Sequence, residues 1–321
     1  MLIFNKTYFH PSTFILVGIP GLEAAHIWIS IPFCIGYITA LLGNSAIMYI
    51  IKTDQALHEP MYIFISMLAF SDICTTSTIM PKSLCIFWFS SHEINYAACL
   101  IQVFFVHCLS AVESGILAAM SYDRYVAICY PLRYTSILTN QLIATLGIAI
   151  LIRAATVEII VIFLVQRFQC FKSIVISHSY CDLMAVVKLI YGDITPINVF
   201  GLFSAAFIIF FDVIAISWSY SKILRAVFRI GSKDGHLKAL STCGAHFVVI
   251  VVTYVLALFS YVSHRLGQEN IPAHVHIFLA NIYILIPTML NPFVYGANTK
   301  RIRERVLRMF QCRKDHVPTL R

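Results

Sequence analysis

The sequence predicts an all-α membrane protein: a seven-transmembrane helix bundle with a short amphipathic cytoplasmic helix after the last span. Three observations predict it. Hydrophobic residues make up 59% of the chain and charged residues only 12%, with a mean hydropathy of +0.82; a soluble domain is about 25% charged. Seven apolar runs are long enough to cross a bilayer, at roughly 27–51, 60–86, 98–129, 141–165, 196–228, 238–263 and 273–297. With the N-terminus placed outside, most of the 23 Lys and Arg fall on the cytoplasmic side. They run from Lys52, Arg124 and Arg133 through Lys222, Arg225, Arg229, Lys233 and Lys238 to eight cations in the tail. That asymmetry sets the orientation.

Each segment has its own justification. Residues 1–26 are read as an extracellular N-terminus. Asn5-Lys6-Thr7 is a glycosylation acceptor on that side, with Asn5 as the modified residue. The first apolar run starts near Ile27 and is long enough to span, so it reads as a retained span rather than a cleaved signal. Connections are short except for 166–195. No internal repeat is visible, which weakens a transporter built from inverted halves. After the seventh span, residues 298–321 form the tail. Its stretch Asn298 to Phe310 places Ile302, Val306, Met309 and Phe310 on one helical face and basic residues on the other. Such a helix lies on an anionic leaflet, so membrane lipids are expected partners. Cys312 behind it reads equally as a palmitoylation site or a free thiol. The net charge of +8 implies no nucleic-acid partner, because the cations line membrane edges rather than one soluble surface.

The third span organises the rest. His107, Ser110, Glu113, Ser114 and Ser121 interrupt its apolar run and fall within an arc of roughly 120°, with Arg124 on the same arc and Asp123 beside it. In an apolar solvent such a stripe faces protein or trapped water. Buried polar groups stand on other spans too: Asp72 on the second, Glu158 on the fourth, Asp212 on the fifth and Asn291 on the seventh. Pairing, protonation or an ion is expected for the first and last of these together with Glu113. Asp212 and Glu158 have no assigned partner at this level. On the sixth span Tyr254, Tyr261 and Arg265 recur on one face. On the residues alone Arg265 is a snorkelling or solvated cation, and His107 fits either a core or a pocket position.

Asp123-Arg124-Tyr125 closing the third span, and Asn291-Pro292-Phe293-Val294-Tyr295 closing the seventh, resemble a rhodopsin-like G-protein-coupled receptor. The resemblance narrows with His58-Glu59-Pro60-Met61-Tyr62, the run from Met120 through Cys129 to Pro131-Leu132-Arg133-Tyr134, and the stretch from Lys238 to His246. These resemble odorant-receptor signatures and cover about residues 12–310. Gly18 to Glu23 and the segment 177–181 resemble the class I, fish-like branch, family 51 in type. The departures are Ala245 where Ser is usual, Tyr191 where class I members often have Cys, Glu158 where an apolar residue is usual, and Ile160 and Ile162 where Pro is common.

The resemblance implies a plasma-membrane receptor, not an enzyme, that binds a small odorant and activates a heterotrimeric Gs-type G protein. It implies a Cys99–Cys181 disulfide, with Cys170 left without its expected partner, and a transmission role for Asp123, Arg124, Tyr125, Tyr220, Asn291, Pro292 and Tyr295. It implies a sodium-type site at Asp72, Glu113 and Asn291; no other cofactor is expected. The ligand set is His107, Ser110, Tyr254, Ala257, Leu258, Tyr261 and Arg265, with an acid or strong acceptor as ligand. His178 is a weak metal candidate that loses a thiolate once Cys181 is oxidised, so no metal is expected. The competing class is an ion or proton transporter using intramembrane carboxylates, which would not need the Asp-Arg-Tyr and NPxxY ends. A retinal receptor is excluded because the seventh span has no Lys.

Overall fold

The computed structural model describes residues 11–168, 170–229, 233–266 and 272–312, without the side chains of 233–242, 261–266, 273, 297, 298, 300 and 309–312. Asn5 and the side chains of Tyr261, Arg265 and Cys312 therefore lie outside the described residues. In chain order the elements are β1 (Thr13–Leu16), α1 (His26–Thr53), α2 (Pro60–Phe89), β2 (Glu93–Asn95), α3 (Tyr96–Cys129), α4 (Tyr134–Ile137), α5 (Asn140–Gln166), β3 (Val175–Ile176), α6 (Leu183–Val187), α7 (Thr195–Arg229), α8 (Lys233–Leu266), α9 (Ala273–Asn298) and α10 (Lys300–Cys312). Seven of these helices, α1, α2, α3, α5, α7, α8 and α9, are long and apolar enough to cross a membrane.

The helix ends follow from local chemistry. Pro60 opens α2, where its missing N–H costs nothing, and Ser90 ends it in the left-handed region at φ 51°. Asn95 caps α3 by accepting from the Ala97 N–H at 2.9 Å. Thr139 caps α5 through the Leu142 N–H, and Asp182 caps α6 through the Ala185 N–H. The large apolar side chains left outside the bundle, such as Trp28, Phe163, Phe203 and Phe228, face what would be lipid.

α3 is the central helix, packing against α2, α5, α7 and α8. Among the described residues the two largest apolar clusters lie inside the bundle. The inner one joins Met61, Phe64, Leu68, Ile116, Leu117 and Met120 across α2 and α3. The outer one joins the upper parts of the spans to a lid.

That lid is built from the N-terminal segment and the outer loops. β1 is the middle strand of a three-stranded sheet, antiparallel to β2 and parallel to β3. Thr13 pairs with Asn95, and Ile15 with Val175. Alternation drives the burial: Phe14 and Leu16 are fully buried while Thr13 and Ile15 are not. Phe14 packs edge-on against Phe171 and tilted against Tyr96. The periodic signal was only four residues long, and its partners lie about eighty and one hundred and sixty residues away.

Candidate ligand pocket and transmission path

The outer loop is pinned before it reaches the pocket. Cys99 and Cys181 are joined by a disulfide. Gln102, one turn down α3, accepts from the Cys181 N–H at 2.8 Å and donates to the Thr78 carbonyl at 2.7 Å. Ser83 of α2 donates to the Ser179 carbonyl, and Asn281 of α9 donates to the Ser179 hydroxyl. The loop is thereby tied to α2, α3 and α9 within five residues. His178 is buried here, its ring edge-on to Tyr180 and its carbonyl accepting from the Gly18 N–H. Among the described residues no group of three or more His, Cys, Asp or Glu could hold a metal ion. Cys170 is a free thiol, and its carbonyl accepts from the Tyr191 N–H at 2.8 Å.

Beneath the loop, His107 and Ser110 face the bundle interior, and Tyr283 of α9 lies against Ser110. Glu158 of α5 is buried and close enough to His107 for the two to interact electrostatically. Tyr254 of α8 is half-buried below them, and Ala257 is partly buried. Leu258 is not a pocket wall. It is 64% exposed, on the outward side of α8 with Val255 and Phe259. A step of four residues turns the helix about 40° past Tyr254, and that rotation carries the side chain out to the lipid face.

One turn below Ser110 lies a part-buried ion pair that the sequence reading did not assemble. Arg153 of α5 holds Asp212 of α7 with two nitrogens, at 2.7 and 2.9 Å. Ser114 donates to the same carboxylate at 2.7 Å and shares a hydrogen bond with the Tyr254 hydroxyl at 2.8 Å. Four helices meet in one bidentate network. Gly115 makes the room: a Cβ there would sit 2.7 Å from Ile150 Cγ2 and 2.9 Å from an Arg153 nitrogen. The signal was available, since two opposite charges on two otherwise apolar spans must find each other.

Further in, Asn291 donates to Asp72 at 2.9 Å, with Glu113 close enough to act on the same carboxylate. Asp72 Oδ1, Glu113 Oε1 and Asn291 Oδ1 are buried without hydrogen-bond partners. All three are oxygens, a donor type that suits a hard cation. At the cytoplasmic end Arg124 lies 3.4 Å from Asp123, which also accepts from the Tyr134 hydroxyl at 2.7 Å. Burial and the adjacent Asp123 carboxylate raise the Tyr134 pKa, keeping it a donor. Tyr220 contacts His246 Nδ1 at 3.1 Å. Tyr125 packs edge-on against Trp218 at 4.9 Å. Pro292 packs against Gly43, where a Cβ would come within 2.8 Å of its ring.

A central α3 carrying a polar stripe, a loop disulfide to its outer end and an acid–arginine pair at its inner end organise a seven-helix membrane bundle. Squid rhodopsin has this fold, with a TM-score of 0.66 at 17% identity over 90% of this chain and 86% of that one. The family model described as "Olfactory receptor" matches residues 33–313. Human olfactory receptor 52J3 is 47% identical over 97% of this chain and 99% of its own length. Olfactory receptor 52K1 is 49% identical over 97% and 99%, and olfactory receptor 52B2 is 50% identical over 95% and 94%, both also human. The chain belongs to the olfactory receptor family and is a multi-pass G-protein-coupled receptor of the plasma membrane. These relatives carry the number 52 rather than the 51 type expected from residues 18–23 and 177–181.

Proposed function

We propose that this chain is a class I odorant receptor that binds a small volatile or short-chain organic molecule, an acid or other strong hydrogen-bond acceptor. It passes the signal to a Gs-type G protein and so raises cAMP. The observation that carries the reading is the succession of polar groups spaced along α3. It starts at His107 and Ser110, runs through Ser114, Tyr254, Asp212 and Arg153 to Asp72 and Asn291, and ends at Asp123 and Arg124. A ligand that displaces α8 at Tyr254 perturbs contacts on three other helices at once.

In this reading Arg265 supplies a planar fork for the ligand's acceptor group, Tyr261 adds a donor, and Tyr254 and Ala257 line the lower wall. Asp123, Arg124, Tyr125, Tyr220, Asn291, Pro292 and Tyr295 transmit the change. A sodium ion would be held by Asp72, Glu113 and Asn291, where it offsets the carboxylates' charge. Asn5 carries a glycan, and α10 rests on anionic lipid. The transporter alternative gains nothing from Asp212, whose carboxylate is already committed to Arg153.

The test is a cAMP-reporter dose series with an acid and its matching alcohol on wild type, Arg265→Ala and Arg265→Lys. Loss of a charge-assisted contact contributes roughly 1.5–3 kcal/mol, so Ala should weaken acid potency at least about tenfold, and Lys should recover part of it. An Ala variant that answers the acid like wild type at equal surface expression removes the anchor.

A further inference from the structure

Two polar atoms in the outer half of the bundle are buried without hydrogen-bond partners: Glu158 Oε2 on α5 and His107 Nε2 on α3. Glu158 is 8% exposed. The two side chains are in electrostatic reach of each other, and Cys108 is in reach of the same carboxylate. Their depths agree. At 1.5 Å per residue, His107 lies about 16 Å below the outer end of α3 and Glu158 about 12 Å below the outer end of α5. The nearest cation on α5, Arg153, is committed to Asp212. A carboxyl and an imidazole are thus held in apolar surroundings with an open acceptor and an open ring nitrogen, directly above the network that reaches Tyr254. Leaving both unmet is costly, and a ligand that meets both offsets part of that cost.

We propose that Glu158 and His107 form the inner recognition site of the ligand pocket, and that the molecule they take carries a hydroxyl group. A hydroxyl is the group that satisfies both. It donates its proton to Glu158 Oε2, which accepts whether or not the carboxyl is ionised, and its lone pair accepts from His107 Nε2–H. An ether accepts but cannot donate, so Glu158 stays unmet. An ammonium donates but cannot accept, so His107 stays unmet. Against an ionised Glu158, a carboxylate at this depth would set acceptor against acceptor. The inference rests on the odorant-receptor reading and refines it: any acid group lies at the outer end of the ligand, and the inner end is an alcohol. Glu158 is the residue that sets this chain apart, because an apolar residue was expected there.

The experiment uses the full-length receptor in cells, with surface display measured by flow cytometry and cAMP as readout. The probes are straight-chain alcohols from butanol to decanol, the methyl ethers of those alcohols, the matching acids, and the terminal hydroxy acids. On wild type, hydroxyl compounds should exceed their methyl ethers in potency at least about tenfold, since a site built to bind a hydroxyl rejects the analogue lacking it. Glu158→Leu should bring that ratio close to one. Glu158→Gln retains an acceptor oxygen in the same shape and should keep the preference, so a packing defect in the Leu variant cannot imitate the result. Equal potency of alcohol and ether on wild type, silence toward every hydroxyl compound, or an unchanged ratio in Glu158→Leu each overturns the proposal. The outcomes separate from those of the acid reading. Active alcohols with silent acids remove Arg265 as an anchor and leave this site standing. Active acids with no hydroxyl preference do the reverse.

Discussion

Single residues decide most where a charge is kept away from water. Arg124 is mostly buried and keeps a single carboxylate, Asp123, at 3.4 Å, a distance long enough to break. Arg124→Ala should abolish agonist-driven cAMP while surface display stays near wild type; undiminished signalling at equal display would remove Arg124 from the transmission path. Arg153 and Asp212 behave differently, because their contact is short, bidentate and shared with Ser114. Arg153→Ala strands a buried carboxylate and should cost about 3–5 kcal/mol. That loss would appear as poor surface display and a lower melting temperature of the detergent-purified receptor. Removing both charges together, as Arg153→Met with Asp212→Leu, should restore display well beyond the single variant. A double variant no better than Arg153→Ala would mean that the network does not hold the fold. Gly115→Ala tests the same place sterically, since its Cβ would press on Ile150 and the guanidinium.

At the scale of elements, the lid and α10 show how short segments are held by distant ones. β1 has four residues and would not persist alone; it holds because Phe14 and Leu16 are buried under the loop that carries β3. Phe14→Ala should cost about 3–5 kcal/mol, read as earlier thermal loss of structure in the purified receptor, whereas Thr13→Ala on the other side of the strand should be near neutral. Equal effects at the two positions would argue that the sheet is not packed as described. α10 is fixed to the first cytoplasmic turn by Arg305 to Asp54 at 2.8 Å and Arg301 to the Ala56 carbonyl at 2.8 Å. Its Ile302 is buried beside Ile50 and Leu57. The Arg305 hydrogen bond first, and the Ala56 N–H second, lower the Asp54 pKa below the ordinary aspartate value of 3.8. A depressed carboxylate pKa gives stability that is complete above the unfolded value and is lost only as pH falls through the folded one. The clamp should therefore be indifferent to pH near neutrality and sensitive to Asp54→Asn. Increased proteolysis or spin-label mobility of α10 in that variant is the check.

The whole molecule is a bundle closed at its outer end by one covalent link. Cys99 and Cys181 are 82 residues apart, and Gln102, Ser83 and Asn281 grip the same loop. Cys99→Ser, Cys181→Ser and the double variant should lose the same stability, roughly 2–4 kcal/mol, because each removes the same bond and the effects do not add. A double variant clearly worse than either single one would mean that the cysteines act separately. Cys170→Ser should change little, since that thiol is free.

The spans, their orientation and the polar stripe of α3 were legible because they are local: a bilayer demands long apolar runs, and a helix places every third or fourth residue on one face. The paired ends of α3 and α9 were legible through the motifs that mark them. What tertiary structure alone decided depends on contacts between segments far apart in the chain. Strand β1 needed a partner at residue 175 before its alternation meant anything. The outward rotation of Leu258 depended on how α8 sits against its neighbours. Arg153 and Asp212, 59 residues apart, became a pair only when α5 and α7 packed on α3. Glu158 was visible as an unexpected carboxyl, but which way it faced was not, because a helix side chain's neighbours are set by helix packing and not by its own sequence. The sequence determined which helices form and which way round they lie; the packing of those helices decided which polar groups meet.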